Sequence, residues 1–155
     1  MRYLALILCI FPLPVFADLA LSQLVGRWDG NGVYQDNSST FRLRCKLRIE
    51  GEAARIDMSG RCVSGLGTQT ISLVLLRFDD GSFVVSGGHG PGSNNSEIKE
   101  LRGRPTPHGV LLSAKTITEH AKMEFLLEPD GALRWGAIRE APRGGYRSVV
   151  TLRRK

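Results

Sequence analysis

The chain has 155 residues, 42% of them apolar and 23% charged, with 18 glycines, three cysteines and a formal net charge of +6. That length makes one domain. The composition excludes a disordered tail and, beyond the first segment, a bundle of membrane-crossing helices.

Met1-Arg2 gives a positive start, Tyr3 to Phe11 is an almost unbroken apolar run, Pro12 and Pro14 break it, and Val15-Phe16-Ala17 offers a peptidase a small-residue exit. Residues 1–17 therefore read as a cleaved export signal and residues 18–155 as a single β-barrel domain. A membrane anchor is the other reading, but the run falls short of the roughly 20 apolar residues that cross a bilayer. Cys9 leaves with the leader. Cys45 and Cys62 remain, and in an oxidising compartment such a pair reads first as a disulfide, with two unpaired buried thiols as the alternative.

Leu19 to Val25 suits a short helical turn ahead of the first strand. From Phe41 to Glu50 the chain alternates: Phe41, Leu43, Cys45, Leu47 and Ile49 in one phase, Arg42, Arg44, Lys46, Arg48 and Glu50 in the other. After Gly51 the alternation resumes with Ile56, Met58, Gly60 and Cys62. Placing Cys45 opposite Cys62 sets Leu47 against Gly60, Ile49 against Met58 and Gly51 against Ile56, so one register aligns the apolar partners of a hairpin. Similar runs follow: Gln69 to Phe78, Phe83 to Ser86, Glu97 to Gly103, Val110 to Lys115, Lys122 to Glu128, Ala132 to Arg139 and Tyr146 to Arg153. Asp79-Asp80-Gly81 and Pro129-Asp130-Gly131 supply tight turns, where an aspartate side chain caps local amides. No later window holds a 3.6-residue period over three turns. The fold class expected is all-β: an antiparallel up-and-down barrel of about eight to ten strands, closed because no helix is available to cover two open edges.

Chemistry is sparse. His89, His108 and His120 have no metal-ligand spacing, so no metal or cofactor is implied, and they read as loop histidines. No nucleophile elbow appears, and no paired acids stand apart from turn duty, so an enzyme is not expected. The stretch Ser86 to Ser96 is glycine-rich and too long for a tight hairpin, which suits either a contact loop or a plain connection. Arg42, Arg44, Lys46 and Arg48, with Arg55 and Arg61 across the hairpin, gather positive charge on one wall: a solvated sheet face, or a dock for an anionic surface. Aromatic residues are 7% and do not interleave with that stripe, so nucleic acid is not an expected partner.

Leu21-Ser22-Gln23-Leu24-Val25-Gly26-Arg27-Trp28, a turn followed by Gly-x-Trp, resembles the opening of the calycin barrels, the lipocalins and avidins. The resemblance implies that Trp28 plugs one end of the barrel and that a basic residue of the last strand lies across its ring. Arg147, Arg153 and Arg154 are available, and Arg153 is the expected partner from its place near the terminus. The second lipocalin motif, with its Thr-Asp-Tyr core, has no counterpart here. A weaker similarity is to the bacterial periplasmic metalloprotease inhibitors of the small-barrel type, which share the Gly-x-Trp start, an early disulfide and a late Asp-Gly hairpin.

These readings converge on an exported binding protein, periplasmic or secreted, with a bacterial envelope favoured and no membrane span in its mature form. The expected ligand is small and apolar or amphipathic, with Phe41, Leu43, Leu47, Met58, Leu73, Met123, Phe125 and Trp135 as candidate lining residues. The alternative is a protein-binding module such as a periplasmic protease inhibitor. Interior volume separates the two, because a solid core leaves a ligand nowhere to sit.

Overall fold

The structure, a computed structural model, describes residues 21–89, 98–142 and 144–155; the proposed leader, Cys9 and most of the glycine-rich loop lie outside the described residues. A 3₁₀ turn, Leu21–Leu24, precedes ten strands: β1 Gly26–Asp36, β2 Thr40–Glu52, β3 Arg55–Ser64, β4 Gly67–Arg77, β5 Phe83–His89, β6 Glu100–Thr106, β7 Gly109–Lys115, β8 His120–Leu127, β9 Leu133–Glu140 and β10 Tyr146–Arg154. Each strand pairs antiparallel with its sequence neighbours, and β1 pairs with β10, which closes an up-and-down barrel without an edge. Closure removes the unpaired backbone groups that an open meander leaves at both sides.

The period-two pattern decides what points inward. Along β2, Leu43, Cys45, Leu47 and Ile49 are buried while the basic residues between them are exposed. The β2–β3 ladder pairs Cys45 with Cys62, Leu47 with Gly60, Ile49 with Met58 and Gly51 with Ile56, the register implied by the alternation. A disulfide joins Cys45 to Cys62. The two Asp-Gly turns share one local geometry. Gly81 and Gly131 take φ of 77° and 78°, the left-handed region where a Cβ is costly. Asp80 Oδ1 accepts the Ser82 amide at 2.8 Å, and Asp130 Oδ1 accepts the Ala132 amide at 3.1 Å.

The two ends of the barrel differ. At one end the 3₁₀ turn folds underneath: Leu21 and Leu24 are fully buried, and Trp28 Nε1 donates to the Leu24 carbonyl at 2.8 Å. The Arg154 guanidinium lies 4.9 Å from the centre of the Trp28 ring and donates to the Gln23 carbonyl. This corrects the expectation for Arg153. Trp28 pairs with Arg154 across the β1–β10 ladder, so the two share the inner phase begun by Val150 and Leu152. Arg153 belongs to the outer phase and pairs with Asp130 at 2.8 Å. Phe83, Phe125, Leu133, Ile49 and Ile56 fill the space above this plug, each no more than 1% exposed. The β1–β2, β3–β4 and β7–β8 turns lie at the opposite end, the mouth.

Candidate functional site

On β5, β7 and β8 the inward residues become small toward the mouth. Gly87 on β5, Ala114 on β7 and Ala121 on β8 continue inward phases that hold Phe83, Val110 and Phe125 nearer the plug. Gly87 is held to this role by its backbone. Its φ is 115°, and a Cβ there would lie 2.2 Å from the Ser72 carbonyl oxygen, so no side chain fits without the β4–β5 ladder shifting. The β5–β6 ladder also stops early, running only from Phe83–Gly103 to Ser86–Glu100, after which β5 continues against β4 alone. Missing side chains and a shortened ladder together leave a cavity of about 350 Å³.

Leu73, Val85, Leu101 and Met123 give this cavity apolar surface, and Gly87, Gly88, Ile98 and Lys99 line it beside the end of the β5–β6 ladder. Lys122, Arg139 and Tyr146 also reach it. Arg139 continues the inward phase of Leu133, Trp135 and Ala137, and stands between Ala121 on β8 and Tyr146 on β10. An inward arginine needs a partner, and Glu119 from the β7–β8 turn provides it: Arg139 Nη2 donates to Glu119 Oε1 at 2.5 Å, with the side chains 11% and 7% exposed. Thr116 fixes that turn, its Oγ1 accepting the Glu119 amide at 2.9 Å. Arg139 Nε is buried and has no hydrogen-bond partner among the described residues. A ligand oxygen arriving from the cavity would relieve that deficit.

An aromatic group closes the β10–β1–β2 side of the mouth. Tyr34 stacks on Tyr146 with ring centres 5.7 Å apart and lies 6.4 Å from Phe41. Burial pushes the Tyr146 phenol up to about 12; Arg139 pulls it down and Tyr34 adds to the rise. The Tyr34 phenol is also raised, by burial first and by Asp36 second.

All eight candidate lining residues point into the barrel, but they divide by depth. Leu73 and Met123 line the cavity. Phe41 joins the aromatic group at the mouth, and Leu43, Leu47, Met58, Phe125 and Trp135 pack in the buried core. Sequence reasoning passed over Arg139, Tyr146 and Glu119, and reached Gly87 only as part of the Ser86–Ser96 stretch, of which Ser86 to His89 belong to β5. Arg139 carried a signal, since counting inward by twos from Leu133 reaches it. His120 contacts Glu140 at 3.2 Å, and no group of three or more His, Cys, Asp or Glu side chains gathers into a metal site among the described residues. Nor, among them, is any helix long and apolar enough to cross a membrane.

A closed ten-stranded antiparallel barrel, plugged at one end and hollowed at the other, is calycin-like in broad architecture. No protein-family model matches the chain, and no curated protein matches it. Among solved structures, the S-type phycobiliprotein lyase CPES from Guillardia theta is similar over 87% of this chain and 90% of its own, with a TM-score of 0.65 and 12% identity. A redesigned β-barrel, mFAP1, bound to DFHBI, is similar over 87% of this chain and 98% of its own, with a TM-score of 0.49 and 11% identity. At 12% identity the likeness to the lyase shows a shared fold and nothing finer.

Proposed function

We propose that this protein is an exported binding protein that holds a small amphipathic molecule in the mouth of its barrel. The observation that carries the reading is the cavity itself: about 350 Å³ with a lining part apolar and part polar, and a buried, incompletely satisfied Arg139 on its wall. An apolar tail would rest on Leu73, Val85, Leu101 and Met123, while an acceptor oxygen of the head would meet Arg139. Leu43, Leu47, Met58, Phe125 and Trp135 would then support the pocket from below. Binding is proposed over catalysis, because the side chains at the cavity supply an anchor and no evident nucleophile with its base. Export is supported by the leader-like residues 1–17 and by the Cys45–Cys62 disulfide, which is compatible with an oxidising compartment.

Titrating the purified protein with a fluorescent fatty amphiphile tests the reading. Saturable uptake is expected, with loss of uptake in Ala121→Trp, which fills the cavity. Arg139→Met is expected to weaken an anionic amphiphile about tenfold and a neutral one far less. Absence of saturable uptake, together with thermal stabilisation by an exported protease, would replace this reading with the inhibitor one.

A further inference from the structure

The outer face of β10, β1, β2 and β3 carries charge that the cavity does not explain. Arg27, Arg42, Arg44, Lys46, Arg61 and Arg147 are all exposed, and none has an ion-pair partner among the described residues. The ladders set them side by side: Lys46 is opposite Arg61 on β3, and Arg48 is opposite Arg27 on β1. Asp29 lies among them, opposite Lys46 and paired with Lys155 at 3.1 Å, while nearer the plug the same wall carries the Arg48–Glu50 and Arg55–Asp57 ion pairs. Neighbouring cations of one sign repel, so a row in which cations outnumber acids is a standing cost that an anionic partner would relieve. On the far wall Arg102 pairs with Glu100 and Arg134 with Glu124, whereas the ion pairs of β2 and β3 gather at the plug end and leave Arg42, Arg44, Lys46 and Arg61 toward the mouth.

The basic wall also exposes aliphatic side chains toward its mouth end. Val33 is 45%, Val63 46% and Leu66 54% exposed, and the ladders place Val33 against Arg42 and Val63 against Arg44. The outward positions of these four strands hold no aromatic ring on which a nucleobase would stack. Guanidinium groups bordered by aliphatic side chains match a lipid interface, where phosphates meet the first acyl carbons. We propose that the β10–β1–β2–β3 wall docks on an anionic phospholipid bilayer, mouth end inward. The docking needs no ligand in the cavity and stands apart from the binding role proposed above.

Co-sedimentation with vesicles tests it. The protein is expected to bind phosphatidylcholine vesicles containing phosphatidylglycerol and not phosphatidylcholine alone, with binding that weakens as salt rises. Each basic side chain at such a surface is worth about fivefold in partitioning. Arg44→Glu with Lys46→Glu should therefore reduce vesicle binding more than about twentyfold. Arg102→Glu with Arg104→Glu on the far wall changes net charge equally and should leave most of it. Val33→Ser with Val63→Ser should lower vesicle binding several-fold while leaving retention on a heparin column unchanged. Equal losses for the two charge reversals, no vesicle binding, or binding to soluble polyanions or acidic proteins alone would each overturn the proposal.

Discussion

Arg154 and Arg153 adjoin in sequence but face opposite sides of the wall. Arg154 stacks on Trp28 and ties the 3₁₀ turn through the Gln23 carbonyl, whereas Arg153 makes an exposed pair with Asp130. Arg154→Ala should therefore lower unfolding stability by about 1–2 kcal/mol in urea titrations, while Arg153→Ala leaves it nearly unchanged. Tyr146 makes a prediction for alkaline pH. Its folded-state pKa of about 12 lies above the ordinary phenol value of 10.0, so the unfolded chain loses this proton first. The contribution is complete below about pH 10 and is lost as pH climbs through about 12, so stability falls across that window. Chemical denaturation at stepped pH should show the fall, and Tyr146→Phe should remove most of it. The choice between Arg153 and Arg154 was legible in the sequence: Val150 and Leu152 set the phase, and position 154 continues it. Nearness to the terminus was the weaker guide, because a shift of one residue turns a side chain to the other face.

Among the elements, the β2–β3 hairpin is where sequence and structure agree most closely. Its alternation, the cysteine pair and the glycine opposite Leu47 permit one register, and that register is present. A disulfide between strands already paired acts chiefly by restricting the unfolded chain. Cys45→Ala with Cys62→Ala should cost about 3 kcal/mol in equilibrium unfolding while leaving the far-ultraviolet circular dichroism of the folded state unchanged. Strand boundaries elsewhere were legible to within a few residues, as with β8, which begins at His120 where Lys122 was expected. Where an end extends further, as at both ends of β2 and the start of β8, backbone pairing continues into turn-proximal residues whose side chains no longer alternate in polarity. The Asp-Gly turns were legible because aspartate capping and a left-handed glycine are local chemistry.

For the whole molecule, closure was legible but the cavity was not. Ten short strands without a covering helix leave closure as the way to satisfy both edges, and β1 does meet β10. Where the interior is empty depends on the level at which inward side chains shrink and on where one ladder stops, and both are properties of strands far apart in sequence. Gly87, Ala121 and the end of the β5–β6 ladder meet only after the barrel has closed. The eight apolar candidates were chosen by phase, which distinguishes inside from outside and carries no information about depth. The most direct test of a mouth-end binding site is an amide chemical-shift titration of the purified protein with an anionic amphiphile. Saturable shifts should concentrate at Ser86–Gly88, Leu101, Ala121–Met123 and Ile138–Arg139 and leave Leu24 and Trp28 unmoved. Shifts spread evenly over the barrel, centred on the Trp28 plug, or absent at saturating amphiphile would contradict it.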